Sequence, residues 1–520
     1  MKNILKTNIL FFILLFIIVF LVYAKAVNFK ITNLDDNTLI TRNLTYISDY
    51  RNIPKFFLTD CYFGKKTQYY RPVLNISFSL ETIAFGKNFK ICHFTNIFLF
   101  FLSLYLIFIF LSKLNFNKTI LKFLIIFYAV HPIFSSVPVW IPARNDTLLT
   151  VFFISSLIFF IKYLDTDKIR FCLLHMLFFS LSLFTKETSL LLLFVYPLLI
   201  YCFNFKVSKK QLLFNLSFII PLLVIYFILR TNAVRAVDLS IYFTNWHYYL
   251  KNIIFGIMIY IEKLIFPTYM PIMLFDFLPT LQTYIINIIF FALLIYVFYK
   301  KIIERKLIVF STIFFFISIF PTFMQKEYAL FFHRLIISLP AIIILSCIIL
   351  QKLTQKYPIT KKYLIMLFCF FTILFSICSF YQINKYKDGF SFWYNAYNDA
   401  DNYYLTCNGL AKQHVYAGNH TKAKELFYKS KKIKNTYETD LDIVTVLLAE
   451  GNIKQAKERL LRLLKLKENL TTLRYLSEIC YIEGEIEKSY EYAKKAYKID
   501  KNDELLLKHI KKLPYFDYNI

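Results

Sequence analysis

Long apolar stretches separated by short polar loops dominate the first three quarters of the chain. A membrane-spanning helix needs about 20 mostly apolar residues, and eleven stretches meet or approach that length. They lie at 4–24, 94–112, 119–140, 146–164, 171–185, 187–203, 212–230, 281–299, 307–323, 335–350 and 363–383. The pattern therefore predicts an all-α membrane domain of about eleven transmembrane helices over residues 1–383.

A twelfth apolar piece is too short to count with the others. It runs from Ile253 to Ile261 before Glu262 and Lys263 interrupt it. Lys251 and Glu262 would share one face of a helix. We therefore predict an interfacial or re-entrant helix over 249–267 that does not cross the membrane.

The C-terminal part changes to a polar, periodic pattern. Glycines recur at 418, 451 and 484, and small residues follow five positions later at 423, 456 and 489. A glycine between two helices followed by a small residue where helices pack closely resembles the tetratricopeptide repeat. We expect a linker at 384–402 and a tetratricopeptide-like α-solenoid at 403–520. Such stacks bind peptides or partner proteins in a groove, although a purely structural helical cap is the open alternative.

Composition agrees with a polytopic membrane protein. Hydrophobic residues make up 58% of the chain and aromatic residues 20%, and the mean hydropathy is +0.52, well above the range of soluble proteins. The net charge of +28 would suggest a nucleic-acid partner in a soluble protein. No zinc-finger, helix-turn-helix or RNA-binding signature accompanies it, so we expect no nucleic acid and assign the charge to membrane-facing loops.

Loop charge predicts the orientation. With the N-terminus inside, Lys and Arg crowd alternate loops, and the short outer loops hold few cations; cytoplasmic loops carry this excess. The alternation requires that 249–267 does not cross. We therefore expect a multi-pass protein of a bacterial-type inner (cytoplasmic) membrane. Its N-terminus is cytoplasmic, and both the first large loop, 25–92, and the repeat domain are extracytoplasmic.

Ionisable residues collect at the outward ends of the predicted helices. Charges in or beside membrane helices are costly unless a cavity or partner compensates. The residues are Asp35, Asp36, Arg71, His93, His131, Arg144, Asp146, Lys186, Glu187, Glu327, His333 and Arg334. Cations suit a phosphate, a carboxylate can deprotonate a hydroxyl, and a lipid tail would lie in the bilayer. Together they predict a site for a lipid-linked anionic donor.

Simpler interpretations stay open for the individual residues. Lys186 and Glu187 could form a local ion pair, and Arg144 could extend toward the membrane surface. His131 could cap a broken helix before Pro132. The Asp35-Asp36 pair could be a solvated turn or an N-cap.

Several segments, in order, resemble one known class. They are Asp35-Asp36, Tyr70-Arg71-Pro72-Val73, Phe89 to Asn96, His131-Pro132-Ile133, Trp140 to Leu148, Leu183 to Glu187, His333-Arg334 closing at Pro340, and Phe392-Trp393. The chain is similar to the transmembrane and tetratricopeptide-repeat O-mannosyltransferases and their bacterial relatives, of the GT-C glycosyltransferase class. The resemblance implies an inverting transfer from a polyprenyl-phosphate sugar to a protein or glycan hydroxyl on the extracytoplasmic face.

The resemblance also implies roles for the residues. Asp35 or Asp36 would be the catalytic base, and which of the two is left open. Arg144 would hold the donor phosphate, assisted by Lys186 and Arg334. The remaining substrate-binding residues would be Arg71, His93, His131, Asp146 and Glu187. No metal-ligand spacing demands a cofactor, although oxygens of Asp35 and Glu187 could hold Mg²⁺ or Mn²⁺.

Two other functions are retained. A lipid-linked oligosaccharide ligase would use a large outer loop late in the membrane domain, whereas the large loop here is the first, 25–92. A non-enzymatic scaffold would use its repeats to recruit partners to an envelope complex. The expected partners of the favoured enzyme are a polyprenyl-phosphate-linked sugar, membrane lipid and a protein or glycan acceptor that the repeats could hold.

Overall fold

The computed structural model describes residues 2–64, 67–236, 240, 244–275, 277–299, 304–325, 329–356, 360–501, 503–514 and 516. Regular structure in these residues is helical throughout, and an isolated antiparallel bridge joins Leu274 and Leu330. The chain divides into two compact units, Met1–Phe392 and Trp393–Ile520. The predicted all-α class is confirmed for the described part of the chain.

One helix contains the boundary between the two units. The α-helices that precede it belong to the first unit and are numbered in chain order. They are α1 Lys2–Tyr23, α2 Asp35–Leu39, α3 Leu44–Ile47, α4 Pro72–Phe85, α5 Phe89–Lys113, α6 Lys118–Ala129, α7 Ser136–Val139, α8 Arg144–Thr166, α9 Ile169–Leu183, α10 Ser189–Leu192, α11 Val195–Cys202, α12 Lys209–Ala233, α13 Trp246–Ile265, α14 Leu281–Tyr299, α15 Arg305–Phe323, α16 Leu339–Lys356 and α17 Thr360–Gln382, followed by α18 Gly389–Asp399. Helix α18 lies within 384–402, which the sequence pattern predicted to be a linker.

Eight helices of the described chain are long and apolar enough to cross a membrane. They are Asn8–Asn28, Phe89–Lys113, Ile141–Thr166, Lys209–Ala233, Leu281–Tyr299, Arg305–Phe323, Phe332–Lys356 and Lys362–Tyr386. A ninth is possible by composition if Lys118–Ala129 and Pro132–Val139, which are bent by 58°, form one span. The break falls at Pro132, which lacks the backbone N–H that would continue a helix. The protein is therefore a multi-pass membrane protein.

The structure gives fewer long helices than the eleven predicted. The stretches predicted at 171–185 and 187–203 are shorter apolar helices, Ile169–Leu183 and Ser189–Cys202. The second is itself divided between α10 and α11. Pro197 stands in the first turn of α11, where a helix tolerates proline, so the chain breaks before it rather than continuing through. Helix α13 covers the segment predicted to be interfacial and is not among the eight.

Helix α8 is the core of the first unit. In the most apolar 18-residue segment of α8, 83% of the residues are buried inside the protein. In the equivalent segments of α12, α14 and α17, 11% are buried. Helix α8 packs most extensively on α9 and α5. Its buried Ser156 Oγ lies 2.7 Å from Nδ1 of His175 and 2.8 Å from the hydroxyl of Tyr196. Polar contacts of this kind join helices within an apolar environment.

The helices of the second unit follow α18 in regular succession. They are α19 Tyr404–Tyr416, α20 His420–Ile433, α21 Tyr437–Ala449, α22 Ile453–Leu466, α23 Leu470–Ile482, α24 Ile486–Ile499 and α25 Glu504–Ile510. Each helix from α19 to α24 packs on the next. Gly418, Gly451 and Gly484 adopt φ values of +75°, +75° and +80° at the turns, which glycine accepts without a Cβ clash. The described geometry therefore recurs at the spacing seen in the sequence.

Candidate active site

Asp36 is built into the first loop as a structural acceptor. It is 1% exposed. Its Oδ2 accepts hydrogen bonds from the backbone N–H and the hydroxyl of Thr32 (2.6 and 2.8 Å), and its Oδ1 accepts one from the N–H of Leu34 (3.2 Å). The indole N–H of Trp140 donates to the Thr32 hydroxyl (3.1 Å). Asp36 therefore organises the turn that fastens this loop to Trp140.

Asp35 has a different environment, although it is the adjacent residue in α2. Its side chain is partly exposed, and its Oδ1 accepts a hydrogen bond from the hydroxyl of Tyr62 (3.1 Å). Burial raises the pKa of Asp35, while the Tyr62 bond and the charges of Arg71 and Arg334 oppose that rise. A carboxyl with a raised pKa and an accessible position is suited to take a proton.

Arg71 and Lys186 come to the site from helix ends and pair with separate carboxylates. Arg71 Nε lies 3.4 Å from Oε2 of Glu187, and the N–H of Tyr70 donates to Oε1 of Glu187 (2.6 Å). Lys186 Nζ lies 2.5 Å from Oδ1 of Asp146. The interpretation of Lys186 and Glu187 as a local ion pair is therefore wrong, because each is paired with a different partner.

Arg334 adds a third cation at the start of a membrane helix. Its guanidinium donates to Gln325 Oε1 (3.2 Å) and to the carbonyl of Ala329 (3.4 Å), and it lies over the ring of Phe331. Among the residues that the structure describes, no carboxylate pairs with it. Glu327, which the sequence pattern also placed near this end, lies outside the described residues.

These side chains form one electrostatic group, which we call the charged cluster. It comprises Asp35, Arg71, Asp146, Lys186, Glu187 and Arg334. Burial lowers the pKa of Lys186 to about 8, with Asp146 opposing the shift and the cations Arg71 and Arg334 adding to it. His333 borders the cluster, with Nε2 3.7 Å from Oδ2 of Asp146. Six of the predicted site residues are thus brought together.

Arg144 is held elsewhere. It is 0% exposed, and its three nitrogens meet Oε2 of Glu81 (2.9 Å), Oδ1 of Asn96 (2.7 Å) and the carbonyl of Cys92 (2.9 Å). The guanidinium also lies over the ring of Phe78. This geometry contradicts the simpler interpretation in which Arg144 extends toward the membrane surface, and it leaves Arg144 poorly placed for the predicted role of holding a donor phosphate.

The two predicted histidines also lie apart from the charged cluster. His93 is 1% exposed, and its ring lies against Phe29. His131 is 0% exposed, accepts a hydrogen bond from the N–H of Ile133 (3.3 Å) and packs against Phe375. His131 therefore caps the helical turn after the chain break, as its simpler interpretation held.

Sequence reasoning missed three residues that shape the site. Tyr62 donates to Asp35, Glu81 pairs with Arg144, and Thr32 links Asp36 to Trp140. These contacts could not be predicted from a local sequence pattern. Tyr62, Glu81 and Thr32 lie far in sequence from Asp35, Arg144 and Trp140, respectively. A carboxylate inside the apolar helix α4 was the one available signal for Glu81.

The predicted metal ligands have other partners. Both oxygens of Glu187 are engaged by Tyr70 and Arg71. The described residues contain no group of three or more His, Cys, Asp or Glu side chains arranged to hold a metal ion. The donor set around Asp35 therefore consists of one carboxylate with hydrogen-bond and cationic neighbours.

Comparison with protein-family models and with curated proteins finds no match to this chain.

Proposed function

We propose that the protein is an integral-membrane glycosyltransferase of the GT-C class. It moves a sugar from a polyprenyl-phosphate donor to a protein or glycan hydroxyl on the extracytoplasmic face. The observation that supports this proposal is the position of Asp35, a partly exposed residue whose carboxylate is close enough to Arg71 and Arg334 for their charges to lower its pKa. Asp35 would thus serve as proton acceptor beside cations that would bind the phosphate.

The ion pairs within the cluster favour a donor with one negative charge. Arg71 pairs with Glu187 and Lys186 with Asp146, whereas Arg334 pairs with no carboxylate of the described chain. Within the described residues, Arg334 is therefore the cation of the cluster that can bind a phosphate oxygen without losing a carboxylate partner. A sugar linked through a single phosphate is a phosphodiester with one negative charge, whereas a diphosphate linkage would bring two.

Asp35 is the base in this proposal. It takes the proton of the acceptor hydroxyl, whose oxygen forms a bond to the anomeric carbon of the sugar from the face opposite the phosphate. The bond from that carbon to the phosphate oxygen breaks, and its electron pair stays on the departing polyprenyl phosphate. Negative charge moves from Asp35 to the phosphate, where Arg71, Lys186 and Arg334 offset it.

Asp36 has a supporting role. Three hydrogen bonds from the turn occupy its oxygens, so it is poorly placed to approach an acceptor. Arg144 likewise supports the fold through Glu81. The phosphate role that the family resemblance gave to Arg144 passes to Arg334 and Arg71, the two cations whose charges act on Asp35.

The proposed topology has the N-terminus in the cytoplasm. The shorter helices Ile169–Leu183 and Ser189–Cys202 would each cross together with the nine longer candidates, giving eleven crossings. The repeat helices from α19 onward would form a tetratricopeptide-like solenoid outside the cytoplasm. The recurring glycine turns at 418, 451 and 484 support this, and the solenoid's role would be to hold the acceptor.

Single substitutions in the full chain test the proposal. Membranes containing the parent, Asp35→Asn, Asp36→Asn or Asp49→Asn are supplied with a labelled polyprenyl-phosphate sugar and acceptor-containing membrane extract. Asp49 is a matched control, because it lies in the same loop and its ion-pair partner among the described residues is the exposed Arg51. We expect Asp35→Asn to lose transfer by at least about 100-fold, and Asp49→Asn to retain it.

The outcomes separate the retained alternatives. Equal transfer by the parent and Asp35→Asn would remove the catalytic role of Asp35. Absence of transfer in every variant, with a partner protein still captured through the repeats, would favour the scaffold. Transfer from a polyprenyl-diphosphate oligosaccharide in preference to the monophosphate donor would favour the ligase.

A further inference from the structure

Asp35 has a defined hydrogen-bond partner that no local sequence pattern marks. We infer that Tyr62 is a positioning residue, whose hydroxyl holds Oδ1 of Asp35 and leaves Oδ2 for the acceptor hydroxyl. This inference rests on the proposed function. It adds to that function the group that orients the base and keeps the base charged.

The contact itself is specific. The Tyr62 hydroxyl donates to Oδ1 of Asp35 at 3.1 Å. Among the described residues, no other group forms a hydrogen bond with the Asp35 side chain. Asp35 is a partly exposed residue, and no described group donates a hydrogen bond to its Oδ2, so Tyr62 holds one oxygen while the other stays available.

Tyr62 is held in place by a closed loop. Asp60 is 0% exposed, and its carboxylate accepts hydrogen bonds from the N–H of Gly64 (2.6 Å) and from the N–H and hydroxyl of Thr67 (3.0 and 2.6 Å). The N–H of Cys61 donates to the carbonyl of Tyr69 (2.8 Å). The backbone on both sides of Tyr62 is therefore fixed, which limits the movement of the phenol.

The direction of the hydrogen bond follows from the protonation state of the phenol. Burial, followed by the negative charge of Asp35, raises the pKa of Tyr62 well above its ordinary value. The phenol therefore stays protonated and donates. A hydrogen bond donated to a carboxylate favours its charged form, which counteracts the effect of burial on Asp35.

Other charged and titratable groups also face Asp35. They are Asp36, Cys61, Tyr69, Arg71 and Arg334. All of them stay in place when Tyr62 is replaced by Phe, because the substitution removes only the hydroxyl. A change in the titration of Asp35 in that variant can then be assigned to the lost hydrogen bond.

The test is the pH dependence of transfer by Tyr62→Phe in the full chain. The labelled polyprenyl-phosphate sugar is used as donor, and kcat and KM are measured between about pH 3.5 and 8, a range that includes the ordinary pKa values of aspartate and histidine. We expect the acid limb of kcat to move upward by about one pH unit, since the charged form of Asp35 loses a donor. At pH values below both acid limbs, kcat of Tyr62→Phe should be about tenfold lower than that of the parent. KM for the donor should be unchanged, because the three cations remain.

Tyr46→Phe is the matched control. Tyr46 lies in the same loop, is partly buried, and contacts the ring of Phe63 beside Tyr62. It makes no described contact with Asp35. We expect its acid limb to coincide with that of the parent, which separates the loss of one particular hydroxyl from a general effect on the loop.

Two results would overturn the inference without affecting the proposed function. In the first, Asp35→Asn is inactive but the limb of Tyr62→Phe coincides with those of Tyr46→Phe and the parent. In the second, Tyr62→Phe raises KM for the donor and leaves the limb of kcat in place. If Asp35→Asn is as active as the parent, the proposed function itself fails.

A second measurement covers the case in which Tyr62→Phe is too inactive for its pH profile to be resolved. Infrared difference spectra between the ¹³C-aspartate-labelled parent and Asp35→Asn isolate the carboxyl band of Asp35, and the same difference is taken on a Tyr62→Phe background. Loss of the hydrogen bond should move both the band frequency and its titration midpoint. An unchanged band would contradict the inference, whatever the activity.

Discussion

The buried ion pair between Arg144 and Glu81 gives the sharpest stability prediction. Arg144 is 0% exposed and Glu81 is 12% exposed, so solvent screens the pair weakly. The substitution Glu81→Gln removes the negative charge and leaves the guanidinium with Asn96 and the Cys92 carbonyl. Breaking a buried pair from one side costs about 3–5 kcal/mol. Because those two neutral acceptors remain, we expect the lower end, about 3 kcal/mol.

The double variant Glu81→Leu with Arg144→Met provides the matching comparison. It removes both charges, so no uncompensated ion remains in the apolar interior. It leaves the Asn96 and Cys92 acceptors without their donor, at about 1–3 kcal/mol. We therefore expect the double variant to cost less than the sum of Glu81→Leu and Arg144→Met by about 2 kcal/mol or more.

Reversible unfolding in mixed detergent micelles, followed by circular dichroism as the mole fraction of dodecyl sulfate rises, measures these differences. Arg51→Met is the surface control, because Arg51 is 74% exposed in its pair with Asp49 and should cause no measurable loss. A loss below about 1 kcal/mol for Glu81→Gln, or strict additivity in the cycle, would refute the buried-pair interpretation. It would also reopen a ligand-binding role for Arg144.

Two further predictions concern Asp36 and Gly409. Burial raises the pKa of Asp36 to about 6, so between about pH 4 and 6 the folded state binds more protons than the unfolded state. As the pH rises from about 4 to 6, the free energy of unfolding of the parent should therefore fall by about 3 kcal/mol relative to that of Asp36→Asn. Parallel pH profiles of unfolding for the two proteins would contradict this. In the second unit, a Cβ at Gly409 would collide with the indole of Trp393, whereas one at Gly451 meets no atom but must accept φ +75°. We expect Gly409→Ala to cost about 3 kcal/mol or more and Gly451→Ala about 1–2 kcal/mol, as measured by protease susceptibility of the second unit. Equal susceptibility of the two variants would show that Trp393 does not occupy this space.

Hydropathy located the long helices well because burial in a membrane depends on local composition. The stretch predicted at 281–299 coincides with α14, and the one at 307–323 differs from α15 by two residues at one end. At 187–203 it gave one continuous apolar stretch, whereas the structure has two helices because the chain breaks before Pro197. Composition thus predicts which segments are apolar and not where a backbone break falls.

The site was predicted in part for a related reason. Loop charge and alternation predict that these helix ends lie on one face, which led us to expect their charges to lie close together. The pairing among them depends on side-chain direction, which is why the neighbours Lys186 and Glu187 contact Asp146 and Arg71 rather than each other. The contrast between Asp35 and Asp36 likewise arises from contacts with Tyr62 and Thr32 that no spacing predicts.

The contact between Trp140 and the first loop can be followed by tryptophan fluorescence. Its indole is 4% exposed, stacks against Phe331 and donates its N–H to Thr32. Of the three tryptophans in the chain, Trp246 is 52% exposed and should respond readily to an aqueous quencher such as iodide. Trp140 is shielded from such a quencher for as long as Thr32 remains seated. Detachment of the loop would therefore register as a red-shifted, newly quenchable emission, which gives a label-free signal for movement of the loop that carries Asp35.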